Sequence, residues 1–322
     1  MHAIKALGTV ISNLLGVLGF RPVESLVLVA MQGGEMGCVM RLDLSDAALP
    51  DAPQRLADLA VRGGAEGVVA VFVSAENAAC SMCTAKFRDL ARNLSAALEH
   101  RGVLLLDAVV VDWIEAGGRW HCVDNCGVSG ILDGDPVTSA MAVAAVVAGR
   151  RMYGSREELK AAVAVDVARA GALAPILAGG GGPVDDVAVA VRAAVAAVRR
   201  VGDGAVLSDA ELAEIGATLV DVRVRDALFT LVDCDEAAAA EILWSQLARV
   251  LPQPFRSEAL CLWSHGAYVR GEGPLAGVCL EEVQAENPTN RMAGLLDTAL
   301  QGGMRPEAIR GLTAALPRAV SV

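Results

Sequence analysis

Three apolar runs decide what the first part of this chain can fold into: "LVLVAM" at 26–31, "GVVAVFV" at 67–73 and "VLLLDAVVV" at 103–111. Each has strand length and is built of Val, Leu and Ala with almost no polar alternation. That is the pattern of a strand buried on both faces. Segments with helical spacing lie between them, around Pro53–Arg62 and from Thr84 to His100. "CVMRLDL" (Cys38–Leu44) follows the first run across "QGGE", a hairpin turn, and "GGRW" leads into a short strand near Trp120–Val123. Strands alternating with helices predict a three-layer α/β domain with a mixed sheet. The stretch before the first strand agrees. Ile4, Leu7, Ile11, Leu14, Leu15 and Leu18 are spaced as on a helix, Gly19 can end it, and Pro22 prevents its resumption. "VLGFRPVESLVLVAM" therefore reads as a bend from helix into sheet rather than a membrane anchor.

After about residue 136 no convincing strand run appears. "SAMAVAAVVAGRRM" and "SREELKAAVAVDVARA" read as helices, the second with Ser155 as N-cap and Glu158 at the capping-box position. Ser208 with Glu211 repeats that signature, and "GGGGP" (Gly179–Pro183) is the clearest loop, expected to be flexible. Helices are expected at about 185–200, 208–231, 235–250, 257–270, 274–285, 289–301 and 305–314. The expected domains are thus 1–135, α/β, and 136–322, all-helical. In the last portion Trp263, Ala267 and Gly271 sit four apart, then come Leu275, Ala276, Leu280 and Asn287-Pro288, and a second round starts at Leu295. The spacing is partly tetratricopeptide-like, and an ordinary helical hairpin is the alternative.

Composition narrows function by exclusion. Apolar residues make up 54% of the 322 residues but aromatics only 3%, so the cores must be built from Ala and Val at close backbone approach. The formal net charge is −11, and no basic run exceeds Arg199-Arg200. Nucleic-acid binding, which needs Lys and Arg to displace counterions, is not expected, nor is docking on an anionic membrane. No apolar stretch reaches the length of a spanning helix, and no small-x-small cleavage site follows Phe20. Eight cysteines are too sparse for a disulfide scaffold, so a reduced, cytoplasmic protein is expected.

"LGFRPVESLVLV", "RLDL", "GRW" near residue 118, "SRE" at 155–157, "DVRVRDAL" at 221–228 and "GEGPLAGVCLEEVQAENPTNRMAGLL" at 271–296 stand in an order that resembles one family across nearly the whole chain. It is the actinobacterial "domain of unknown function" family 4192. The resemblance implies an actinobacterial source, or a phage of such a host, with which the Ala, Val, Arg and Gly usage agrees. It brings no reaction, cofactor or catalytic residue. One departure stands out. Where the family has a Cys-Cys-Pro-like segment after the Trp strand, this chain reads "WHCVDNCGVSG".

Chemistry-bearing residues fall into three groups. Cys80-x-x-Cys83 and Cys122-x-x-x-Cys126 are two soft pairs in loops beyond strands, a pattern that could hold zinc; buried or idle thiols are the bland reading. Cys38, Cys234, Cys261 and Cys279 sit at apolar positions and read as core. Asp43, Asp107, Asp112 and Asp124 lie in or after strands, where a metal-dependent phosphoester or nucleotide site could use carboxylates; turn residues and an Arg41–Asp43 pair are the bland reading. In "DVRVRDALF", Asp221 with Arg225 and Arg223 with Asp226 have helical pairing distance, and Arg223 or Arg225 could dock the helical domain onto Asp43 or Glu24. No P-loop, G-x-G-x-x-G or G-x-S-x-G is present.

Two main functions follow. The first is a protein-interaction or self-assembling scaffold without catalytic activity. The second is a small-ligand or nucleotide-binding enzyme with a cleft lined by Arg21, Glu24, Arg41, Asp43, Arg223, Arg225 and Asp226. A zinc-stabilised structural domain is the third, and no other cofactor is expected.

Overall fold

The computed structural model describes residues 2–78, 81–313, 316, 318 and 319, with the side chains of 2–6 and 81–83 outside the description. The chain forms two compact units, Met1–Glu158 and Leu159–Val322.

The N-terminal unit runs α1 (His2–Leu18), β1 (Ser25–Gln32), β2 (Glu35–Asp43), α2 (Leu44–Ala47), α3 (Ala52–Arg62), β3 (Gly67–Val73), α4 (Ser81–Glu99), β4 (Leu104–Val111), β5 (Arg119–Cys122), β6 (Ser129–Ile131) and α5 (Ala140–Val147). The six strands form one mixed sheet in the order β2-β1-β3-β4-β5-β6. The hairpin turn at Gly33-Gly34 has both glycines at positive φ (58° and 82°), as a tight two-residue turn requires. β1 is antiparallel to both β2 and β3, and β3 is parallel to β4. β2, β3 and β4 therefore point the same way, and their carboxyl ends share one end of the sheet with the start of β1.

The apolar runs are buried because both faces are covered. Leu26, Leu28, Val68, Ala70, Phe72 and Val110 pack on Leu56, Ala57 and Ala60 of α3 and on Phe87, Ala91, Leu94 and Leu98 of α4. Phe72 and Phe87 stack with ring centroids 5.0 Å apart. The alternate residues Val27, Val29, Val71, Val109 and Val111 are equally buried, as are Ile11, Leu14, Leu15 and Leu18 of α1. The α/β architecture read from the sequence is the one observed.

The division between the units lies after Glu158 and not near residue 136. α5 belongs to the first unit because it packs on α1. A Cβ on Gly16 would lie 2.2 Å from the Ala142 backbone nitrogen, so the two helices touch through backbone. Asn13 Oδ1 accepts from the Met141 amide, Arg150 Nη2 donates to the Val17 carbonyl, and Phe20 forms a parallel bridge with Tyr153.

The rest is helical: α6 (Arg156–Val163), α7 (Val167–Leu177), α8 (Val187–Gly202), α9 (Asp209–Thr218), α10 (Val222–Phe229), α11 (Ala237–Val250), α12 (Phe255–Val269), α13 (Gly273–Glu286), α14 (Arg291–Gln301) and α15 (Pro306–Thr313). Two expected helices are each two. Asp166 and Asp221 are N-caps in extended conformation, so each starts a new helix in mid-segment. The Ser208–Glu211 capping box is complete. α12 is the central helix, buried over almost its whole length and packed on α9, α10, α11, α13, α14 and α15.

Candidate functional site

Four of the expected site residues meet at the carboxyl end of β2, β3 and β4. Pro22 and the short link 19–24 turn the chain into β1, and Glu24 takes φ +42°, a conformation disfavoured for a residue with a Cβ. That turn aims the Glu24 carboxylate at β3, where Ser74 Oγ donates to its Oε1 at 2.7 Å and Asn77 Nδ2 donates to Ser74 Oγ at 2.8 Å. Arg41 reaches back across the hairpin. Its Nε donates to Ser25 Oγ at 2.9 Å, its Nη2 lies 2.5 Å from Asp43 Oδ1, and its guanidinium lies over the Phe20 ring. Arg21 pairs with Glu115 at 2.6 Å, beyond the end of β4. Asp112 Oδ1 accepts from the Trp113 and Arg119 amides, which makes it a turn residue, and Asp107 lies within β4 with its carboxyl pushed up by desolvation. Ligands of α/β sheets gather at this end. Here the charged groups are largely consumed by one another.

Arg223, Arg225 and Asp226 have partners within the helical unit. Asp221 is the N-cap of α10, so its carboxylate pairs with Arg223 (2.6 Å) while its carbonyl accepts from the Arg225 amide in the first turn of the helix. The carboxylate also accepts from the Arg223 amide and from the Val184 amide of the loop after α7, and Arg223 Nη2 donates to the Val184 carbonyl. The Arg223 guanidinium holds the Asp221 carboxyl far below the usual carboxylate range. Arg225 turns inward to Asp226 (2.9 Å) and Glu258 of α12 (2.8 Å). Glu258 also accepts from Asn290 Nδ2 at 2.8 Å, and Asn290 Oδ1 caps α14 through the Ala293 amide.

Two more polar nodes sit on α12. Arg256 is fully buried, donating to the Ala248 and Val163 carbonyls and pairing with Glu282 and Glu286. At the other end Arg270 pairs with Glu241 (2.6 Å) and Glu272 (2.9 Å), and Trp263 Nε1 donates to Glu241 Oε1 at 3.2 Å. Burial pushes the Glu241 carboxyl up. A cavity of about 40 Å³ opens there between α10, α11 and α12, lined by Phe229, Trp244 and His265 among others. It is large enough for one or two water molecules. His265 is buried against Phe229, its Nε2 has no hydrogen-bond partner, and burial lowers its pKa to about 4. Sequence reasoning missed Glu241, Arg256, Arg270 and Glu272. The available signal was that "GEG" at 271–273 follows an Arg and that an Arg stands inside an apolar helix.

The segments that meet in these networks, "RPVES" and "RLD" in the first unit and "VRVRD" and "ENPTN" in the second, are those whose order resembles a family. A family model described as Domain of unknown function (DUF4192) matches residues 8–307. This chain belongs to the DUF4192 family. No curated protein and no solved structure matches it.

The cysteines of this DUF4192 chain divide differently from expectation. Cys261 and Cys279 are buried, but Cys38 is exposed because it lies at a bulged stretch of the edge strand β2, and Cys234 is half-buried after α10. Cys122 ends β5 and Cys126 lies exposed in the β5–β6 turn. Cys80 and the Cys83 side chain lie outside the described residues. Among the described residues no group of three or more His, Cys, Asp or Glu is arranged to hold a metal, and no helix is long and apolar enough to cross a membrane.

Proposed function

We propose that the chain works by associating with another protein, and that the outer face of α5 is the contact surface. One observation carries this reading. From Pro136 to Gly149 there is no charged residue. α5 buries only Ala142 and Ala145, leaving Met141, Val143, Val146 and Val147 40%, 49%, 58% and 83% exposed. Contiguous apolar surface of this kind marks interaction sites, whereas singly scattered apolar residues do not. The occupant we favour is an apolar helix or groove of a different protein. A second copy is disfavoured because an eight-residue helix is only about 12 Å long, small against a standard isologous interface, and each copy carries −11. The tetratricopeptide-like helices would offer a second surface of the same kind.

The test is the double variant Val143→Glu, Val147→Glu. Both side chains are exposed, so its melting curve should match the wild type. Used as bait in extracts of the native host, it should lose partners that the wild type retains, while both remain monomeric by light scattering. Identical partner sets from both baits would sink the reading, and a wild-type dimer split by the variant would reassign the surface to self-assembly.

A further inference from the structure

The turn that joins β5 to β6 brings two cysteines of this chain into contact. Cys122 ends β5, its amide donating to the Val128 carbonyl at 2.9 Å and its carbonyl accepting from the Asn125 amide at 3.1 Å. Asn125 (φ 56°) and Gly127 (φ 86°) both take positive φ, which curls the chain back on either side of Cys126. The Cys122 sulfur accepts from the amides of Asp124 and Cys126, and the two thiols are hydrogen-bonded to each other. Cys126 is exposed and Cys122 half-buried. Burial pushes the Cys122 thiol up, and the neighbouring Cys126 adds to that. The backbone that carries the pair is clamped from outside it. His121 Nε2 lies 2.9 Å from the Ala78 carbonyl, and Arg88 Nε donates to the Val123 carbonyl at 3.2 Å.

We propose that Cys122 and Cys126 form a reversible dithiol–disulfide site, oxidised by a low-molecular-weight disulfide such as oxidised glutathione. The roles of the two sulfurs follow from their exposure. The Cys126 thiolate, open to solvent, attacks one sulfur of the oxidant; a mixed disulfide forms on Cys126 and the other half of the oxidant leaves as a thiolate. Cys122 then gives its proton to solvent and its sulfur attacks Cys126 Sγ, releasing the second half as a thiolate. Two protein thiols are oxidised to one disulfide, one disulfide is reduced to two thiols, and the protons that leave the protein sulfurs are regained by the released thiolates. The ring spans residues 122–126. Its sulfurs already touch, so closure needs side-chain rotation rather than a new path for the backbone. The product is uncharged, so the desolvation that disfavours a Cys122 thiolate does not oppose it. This site is independent of the α5 surface.

The test uses the folded full chain. Trypsin releases residues 120–150 as one peptide that holds Cys122 and Cys126 and no other cysteine. The chain is incubated with oxidised glutathione, its remaining thiols are alkylated in denaturant, and this peptide is weighed. It should escape alkylation, be lighter than the dithiol form by two hydrogens, and return to the dithiol form after treatment with dithiothreitol. Cys122→Ser, which lacks the second thiol, should stop at the mixed disulfide on Cys126. Cys126→Ser should carry at least about tenfold less adduct, because the sulfur that remains is shielded and protonated. The proposal is overturned if the wild-type peptide keeps both thiols, if it holds a lasting glutathione adduct, or if it is cross-linked to the peptide 63–86, which holds Cys80 and Cys83. Equal adducts on the two variants, each shown to be folded by circular dichroism, would overturn the assigned roles.

Discussion

The two arginines of "VRVRD" are two residues apart and have opposite fates. Arg223 lies over the surface with its guanidinium largely in solvent, so the charge pair with Asp221 is screened. Arg225 is mostly buried, and so is its partner Glu258. Removing one member of a buried pair leaves the other uncompensated. Arg225→Ala should cost about 2 kcal/mol, allowing for partial exposure, and should loosen the Asn290 cap of α14. Arg223→Ala leaves the buried Asp221 carboxylate its bonds from the amides of Val184 and residue 223, so its urea midpoint should fall by less than that of Arg225→Ala. Equal midpoints for the two variants would contradict the burial described. The buried His265 adds a pH dependence whose sign is fixed. Its folded pKa is about 4, below the ordinary value of about 6.5 that the unfolded chain offers. Between these values the unfolded state binds more protons, so stability is complete above pH 6.5 and falls as the pH drops towards 4. The slope is at most about 1.4 kcal/mol per pH unit. His265→Phe keeps a ring against Phe229 and removes the titration. Its denaturation midpoint should therefore fall less than that of the wild type between pH 6.5 and 5, and parallel profiles would refute the assignment.

At the scale of elements, what was legible in the sequence is what local chemistry dictates. β3 begins and ends where its apolar run does, and Gly33-Gly34 turns the first hairpin because two adjacent glycines can both adopt positive φ. Ser208 with Glu211 caps a helix as expected. The errors have a shared cause. Helical spacing alone makes Asp166 and Asp221 ordinary positions within long helices, but an Asp that can accept a backbone bond two or three residues ahead starts a new helix. β6 escaped because three residues carry no period. The sequence of α5 says only "apolar helix", which suits either unit. Its true neighbour is fixed by Gly16, whose missing Cβ lets α1 and α5 meet. Gly16→Ala would place a carbon against the Ala142 backbone, where no side chain can move aside. A loss of about 1–3 kcal/mol is expected despite the better helix propensity of Ala, read as a lower melting temperature. An unchanged or raised melting temperature would mean that α5 does not pack there.

At the scale of the whole molecule, scarce aromatics leave two different solutions to the same shortage. The first unit closes Val and Ala strands between helical layers, where flat surfaces of small side chains still pack densely. The second surrounds one helix with six others and places charged nodes at Arg256, Glu258 and Arg270 along it. Charges buried in this way add little net stability but penalise any packing that leaves one unpaired, so they select a single register for α12 among interchangeable Ala-rich faces. That role needs no help from the first unit, because the partners of all three lie within Leu159–Val322. A fragment beginning at Gly154 and ending at Val322 keeps the start of α6 intact, since Ser155 Oγ accepts from the Glu158 amide and Glu158 Oε2 from the Gly154 amide. Such a fragment should fold alone, with a helical circular-dichroism spectrum and one cooperative urea transition. Arg256→Met, which fills the same space without the charge, should retain helical content but broaden the amide spectrum in nuclear magnetic resonance, as several registers of α12 become nearly equal in energy. A variant as sharply resolved as the parent fragment would show that packing alone fixes the register, and an unfolded parent would show that the helical unit depends on the first.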